Sequence, residues 1–156
     1  MKLYHSITAR LETQHKALPN IISQIDNNRL MLKPAPGKWS IKDNIAHLTK
    51  YQLVFLDRLN KIVNSNTPSF EPYNAETDPE FVEWQTKDVN LLLEHLNIDR
   101  IRIVEMITGM NEADLDKIGL HQKYGRLNVI EWTEFFLLHE AHHLLTIFQL
   151  THKTEF

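Results

Sequence analysis

The chain has 156 residues, a formal charge of −3 and no cysteine. That length is enough for one domain with a real core, so a single domain over residues 1–156 is expected. The charge offers no basic stripe for nucleic acid. Without cysteine there is no disulfide, thiolate nucleophile or sulfur-ligated zinc, and only four glycines are few for a β protein with many tight turns.

The first predicted helix runs from about Leu3 to Asn27, where Leu3, Ile7, Leu11, Leu18, Ile21 and Ile25 recur at helical spacing. Pro19 lies inside it and should kink or split it. Two prolines and a glycine at Pro34, Pro36 and Gly37 then break the chain.

The second helix starts at Ser40, a good N-cap, with Asp43 placed at its positive end, and ends near Ser65. Ile41, Ile45, Leu48, Phe55, Leu59 and Ile62 form its apolar stripe; Asp43, Lys50, Asp57 and Lys61 mark the face expected in solvent. Asp78-Pro79-Glu80 reads as the start of a third helix running to about Gly109. Val82, Val89, Leu92, Leu93, Leu96, Ile103 and Ile107 supply its buried face.

Residues 111–127 are polar and irregular, with a short turn expected at Asn111–Leu115. Asn128 followed by Glu131 resembles a capping box and opens the last helix, Val129 to about Leu150, apolar on most of its circumference. Four helices with no strand between them predict an all-α four-helix bundle. The N-terminus lacks a signal-peptide core and no apolar run reaches about 18 residues, so a cytoplasmic protein without membrane contact is expected.

Nine histidines raise the question of a metal. His139 and His143, four apart, share the stripe of Trp132, Phe136, Ile147 and Leu150, while His142 falls on the polar side with Glu131 and Gln149. Imidazoles on a buried stripe need partners for their nitrogens. A metal is one answer; carbonyls, water or a carboxylate are the other. His47 lies at the flank of the second helix's apolar face, beside Asn44 and Tyr51. By itself it reads as a satisfied flank residue. His5, His15, His95, His121 and His152 are set aside, His121 because it sits in a polar loop.

His139-Glu140-Ala141-His142-His143 matches the zinc-protease pattern H-E-x-x-H. The context does not: Thr146 and Gln149 stand where the extended motif has Gly and His, and only 13 residues follow His143. The protease reading is rejected. Glu140 nevertheless keeps the general base's position after the first histidine, and is the candidate catalytic residue; the alternative is a carboxylate on the helix surface.

Gly37-Lys38-Trp39-Ser40-Ile41, His47-Leu48 eight residues after Trp39, and His139-Glu140-Ala141-His142-His143 together resemble the DinB/YfiT-like superfamily of bacterial metal-binding four-helix bundles. Helix order and total length agree. The resemblance implies that His47, His139 and His143 bind one divalent metal, zinc or nickel, between the second and last helices. It further implies a small-molecule reaction, since some members are thiol S-transferases using a low-molecular-weight thiol and others are regarded as hydrolases. Homodimers are frequent among them, and DNA binding is not implied. Asn44 and Tyr51 are candidates for supporting the metal site. A non-catalytic metal- or ligand-binding bundle, acting as a dimeric interaction module, is the competing expectation.

Overall fold

The bundle's first arm, in the computed structural model describing residues 2–152, is built from pieces. α1 (His5–Thr13) passes through a 3-10 turn at Gln14–Lys16 into α2 (Ala17–Ile22), followed by α3 (Asn27–Met31). The expected continuous helix is therefore broken, and the break precedes Pro19. The proline lies in the first turn of α2, where its missing N–H is tolerated. Gly37, with φ 73°, then supplies the positive backbone angle of the turn before the next helix.

α4 (Ile41–Asn64) begins with a complete capping box: the Asp43 N–H donates to Ser40 Oγ at 3.0 Å, and the Ser40 N–H to Asp43 Oδ2 at 2.9 Å. Its predicted apolar stripe is buried throughout. Half of its expected solvent face is not in solvent. Asp57 and Lys61 pair on the surface at 2.6 Å, but Asp43 and Lys50 are buried. The covering segment is α5 (Phe81–Thr86), packed on α4, together with the loop before it. Gln85 Nε2 donates to Asp43 Oδ1 at 2.8 Å, and Lys50 pairs with Glu80 and Asp78.

The third predicted helix divides at Lys87–Asp88. Both residues have extended backbone, and the Asp88 carboxylate caps α6 (Val89–Thr108) by accepting from the Asn90 N–H at 2.8 Å. Leu92, Leu96, Ile103 and Ile107 are buried as predicted, whereas Val82 on α5 is exposed.

The region expected to be irregular carries α7 (Glu112–Leu115), the predicted short turn, and then strands. β2 (Ile118–His121) and β3 (Gly125–Asn128) form an antiparallel hairpin, and β1 (Ser69–Phe70) pairs parallel to β2. These strands correct the strand-free expectation. With two to four residues each they are too short for an alternating pattern to stand out. Gly119 lets the hairpin approach the helices. A Cβ there would lie 2.8 Å from Ile62 Cγ1 and 2.9 Å from Trp132 Nε1. The Trp132 indole N–H already donates to the Gly119 carbonyl at 3.3 Å. Gly119→Val should therefore destabilise the protein by about 1–3 kcal/mol, read as a lower urea midpoint, because core atoms must move.

α8 (Val129–His152) opens with the second capping box, Asn128 Oδ1 accepting from the Glu131 N–H at 2.9 Å and Glu131 Oε2 from the Asn128 N–H at 2.8 Å. Its apolar circumference is not all buried: Leu138, Leu145 and Phe148 face outward. α1, α4, α6 and α8 form the four-helix bundle, with α4 packed on both α6 and α8. Among the described residues no helix is long and apolar enough to cross a membrane.

Candidate metal centre

α4 and α8 bring His47, His139 and His143 together. One ring nitrogen from each lies within 4.8 Å of the others, and His47 Nε2 is 3.0 Å from His139 Nε2. That separation approaches the ~3.3 Å edge of a tetrahedral site with ~2.0–2.1 Å metal–nitrogen bonds. Trp39, with its ring centroid 5.0 Å from that of His47, walls the site together with Tyr73 at 5.7 Å and Phe81 at 6.2 Å. His142, one residue from the cluster, is exposed, as helical counting predicts.

These rings are neutral. Burial first, and neighbouring imidazoles second, lower their pKa values to about 3 for His47, about 2 for His139 and about 4 for His143. Neutral imidazole is the form that offers a lone pair to a metal.

Asn44 selects which lone pair His143 offers. Its Nδ2 donates to the Ser40 carbonyl at 2.8 Å, so its Oδ1 is the atom facing His143 Nδ1 at 2.9 Å. An oxygen there requires a proton on Nδ1, which leaves Nε2 unprotonated. Among the described residues His47 and His139 have no such partner: both Nδ1 atoms are buried without a hydrogen bond. Without a metal, their 3.0 Å contact uses one donor and one acceptor, stranding one N–H and one lone pair. A divalent ion would take both Nε2 lone pairs and leave a proton on each Nδ1; the donor set fits one because three imidazole nitrogens lie within 4.8 Å of one another. Tyr51 lies against the site, its ring centroid 4.0 Å from that of His139.

Glu140 does not occupy the place of a water-activating base. It is 1 % exposed, so it is not a surface carboxylate either. Oε1 accepts from Gln14 Nε2 at 2.9 Å, and Oε2 is ion-paired with Arg100 Nη2. Arg100 also donates to Gln52 Oε1 at 3.0 Å and the Leu11 carbonyl at 3.2 Å, and meets His15 Nδ1 at 3.2 Å. His15 is thus part of this buried network, and burial followed by Arg100 lowers its pKa to about 4.

Two openings reach the histidines. A cleft of about 440 Å³ beside His143 is lined by Trp39, Asn44 and Leu150, and a cavity of about 940 Å³ beside His139 by Tyr124, Leu127, Phe135 and Leu138. His121, set aside in the sequence, is buried on β2 and lines a smaller cavity with His139 and Arg58. Nothing in its local sequence marked it, because its neighbours there come from the hairpin and from α8.

A four-helix bundle with three histidines of two helices converging at its centre defines a class of protein with a possible metal site. Residues 10–147 match the family model of the DinB superfamily, and the chain belongs to that family. "Putative metal-dependent hydrolase OB0413" of Oceanobacillus iheyensis is 25% identical over 151 residues, covering 92% of this chain and 82% of that protein. YuaE of Bacillus subtilis is 23% identical over 164 residues, covering 94% and 95%. Among solved structures, YfiT of Bacillus subtilis superposes with a TM-score of 0.83 at 16% identity, covering 96% of this chain and 89% of that one. YfiT is described as a probable metal-dependent hydrolase with an unusual four-helix bundle topology.

Proposed function

We propose that the chain holds one divalent metal ion, zinc or nickel, on His47, His139 and His143, and acts on a small molecule as a metal-dependent hydrolase or thiol S-transferase. The observation that carries this reading is the convergence of three neutral imidazoles within 4.8 Å. Imidazole donors suit both metals. When bound, such an ion supplies a Lewis acid with coordination positions left open. Asn44 orients His143, Tyr51 and Trp39 wall the rings, and the two openings give a substrate access from either side. The naming of OB0413 and YfiT as metal-dependent hydrolases supports the same reading.

A homodimer belongs to this reading. Leu91, Ile98 and Ile101 are exposed apolar residues of α6 that a second copy would cover.

The test is metal content by mass spectrometry on untagged protein, before and after chelation and reloading. About one zinc or nickel per chain, removed by chelator and restored on addition, is expected. A protein that stays metal-free when offered zinc, nickel and manganese would end this reading. Turnover by the loaded protein of an ester, or of a thiol with an electrophile, separates the two reaction classes; neither would leave a metal-holding bundle.

A further inference from the structure

The protein buries two arginines, and they are satisfied differently. Arg100 has Glu140. Arg58, 5 % exposed, forms no carboxylate ion pair among the described residues. Its Nη2 donates to the Glu71 carbonyl at 2.7 Å, and its Nη1 is a long 3.4 Å from the Tyr51 hydroxyl. The Glu71 carboxylate is engaged elsewhere, with Gln122 Nε2. Phe70 and Trp132 lie under the guanidinium with ring centroids at 5.6 Å and 5.4 Å, which offsets part of the burial cost. Three of the five guanidinium N–H donors remain without a protein acceptor among the described residues.

Arg58 borders a cavity of about 180 Å³ whose lining includes Tyr51, Tyr73, His121, Lys123 and His139, and no acidic residue. His121 adds a donor of fixed identity. Its Nδ1 accepts from the backbone N–H groups of Lys123 at 3.0 Å and Tyr124 at 3.3 Å, so its proton sits on Nε2. Burial, Arg58 and Lys123 together lower its pKa. The cavity shares Lys123, Tyr124, Phe135 and His139 with the larger one, which continues along Leu127 and Leu138.

A buried cation without a counter-ion is costly, and here it faces a cavity instead of a carboxylate. We infer that this cavity takes a carboxylate group of the substrate, with Arg58 as its counter-ion and the His121 Nε2–H as a second donor. The apolar body of that substrate lies along Leu127 and Leu138, which sets the junction between head and body beside His139. The inference rests on the proposed function for what happens at His139; the binding of the anion does not require the metal.

The experiment titrates the full-length, isotope-labelled protein, metal-free and zinc-loaded, with 4-phenylbutyrate and with the uncharged 4-phenylbutyramide, following NMR shifts. Metal-free wild type should bind the acid at least about tenfold more tightly than the amide, as expected for charge-assisted hydrogen bonds. In Arg58→Met the preference should vanish while amide affinity holds. Equal affinities in metal-free wild type, no binding of the acid, or a preference that survives Arg58→Met would overturn the inference. A preference that appears only with zinc also overturns it, assigning the anion to the ion while leaving the metal reading intact. Should Arg58→Met fail to fold, the Arg58 Nε–H resonance of wild type decides: it should move with the acid and stay with the amide.

Discussion

Alanine at Glu140 is expected to destabilise the folded protein by about 3–5 kcal/mol, the cost of leaving a buried charge without its partner. Arg100 is 0 % exposed and would keep its charge with only neutral acceptors around it. The loss would spread, because the Arg100 guanidinium joins the Leu11 carbonyl of α1, Gln52 of α4 and Glu140 of α8 from its own place on α6. Gln14 would lose one of its two acceptors and keep the Leu137 carbonyl. Urea unfolding of Glu140→Ala measures the effect, and a change below about 0.5 kcal/mol would show that the pair is not coupled to the fold. The double variant Arg100→Met, Glu140→Met removes both charges together and should recover much of the loss, since apolar residues of similar volume often replace a buried ion pair without penalty. Turnover should accordingly be compared per folded molecule. A residue that holds the arginine bracing four helices lowers activity when removed, whether or not it touches a substrate.

Glu140 also shows how far the sequence could be read. The capping pairs Ser40/Asp43 and Asn128/Glu131 were legible because capping is local, set by side chains three residues apart. The i, i+4 spacing of His139 and His143 and the outward turn of His142 followed from helix geometry alone. The carboxylate of Glu140 was misread because α8 is apolar on several sides, and periodicity does not say which polar residue finds a buried partner on another helix. Asp43 and Lys50 were assigned to solvent for the same reason: α5 and the loop before it, which cover them, supply partners 42 and 30 residues further along the chain. Asp88 was legible in principle as an N-cap, but the helical spacing of Val82 and Val89 on either side of Lys87 and Asp88 concealed the break. His47 gained its place from the resemblance carried by Trp39-Ser40, which the helical pattern alone could not supply. Arg58 and His121 left no signal, because their cavity is assembled from α4, the hairpin and α8.

Replacing His143 with alanine should abolish stoichiometric metal binding, and replacing Asn44 with leucine should weaken it by about 10- to 100-fold, the usual cost of losing the group that orients a histidine ligand. The two effects are linked through one proton. Asn44 is anchored by its 2.8 Å bond to the Ser40 carbonyl, at the start of α4. Its Oδ1 then holds the His143 Nδ1–H at 2.9 Å and leaves Nε2 as the free lone pair. Leucine fills similar space but accepts no hydrogen bond, so the ring is free to rotate or to carry its proton on the wrong nitrogen. His47 and His139 have no comparable partner on Nδ1, so no second residue compensates for Asn44. Competition against a zinc-responsive dye gives both affinities on one scale. Wild-type affinity in Asn44→Leu would refute the orienting role, and stoichiometric metal in His143→Ala would remove that histidine from the centre. The expected order is wild type, then Asn44→Leu, then His143→Ala, since a misoriented ligand can still be recruited by the ion and an absent one cannot.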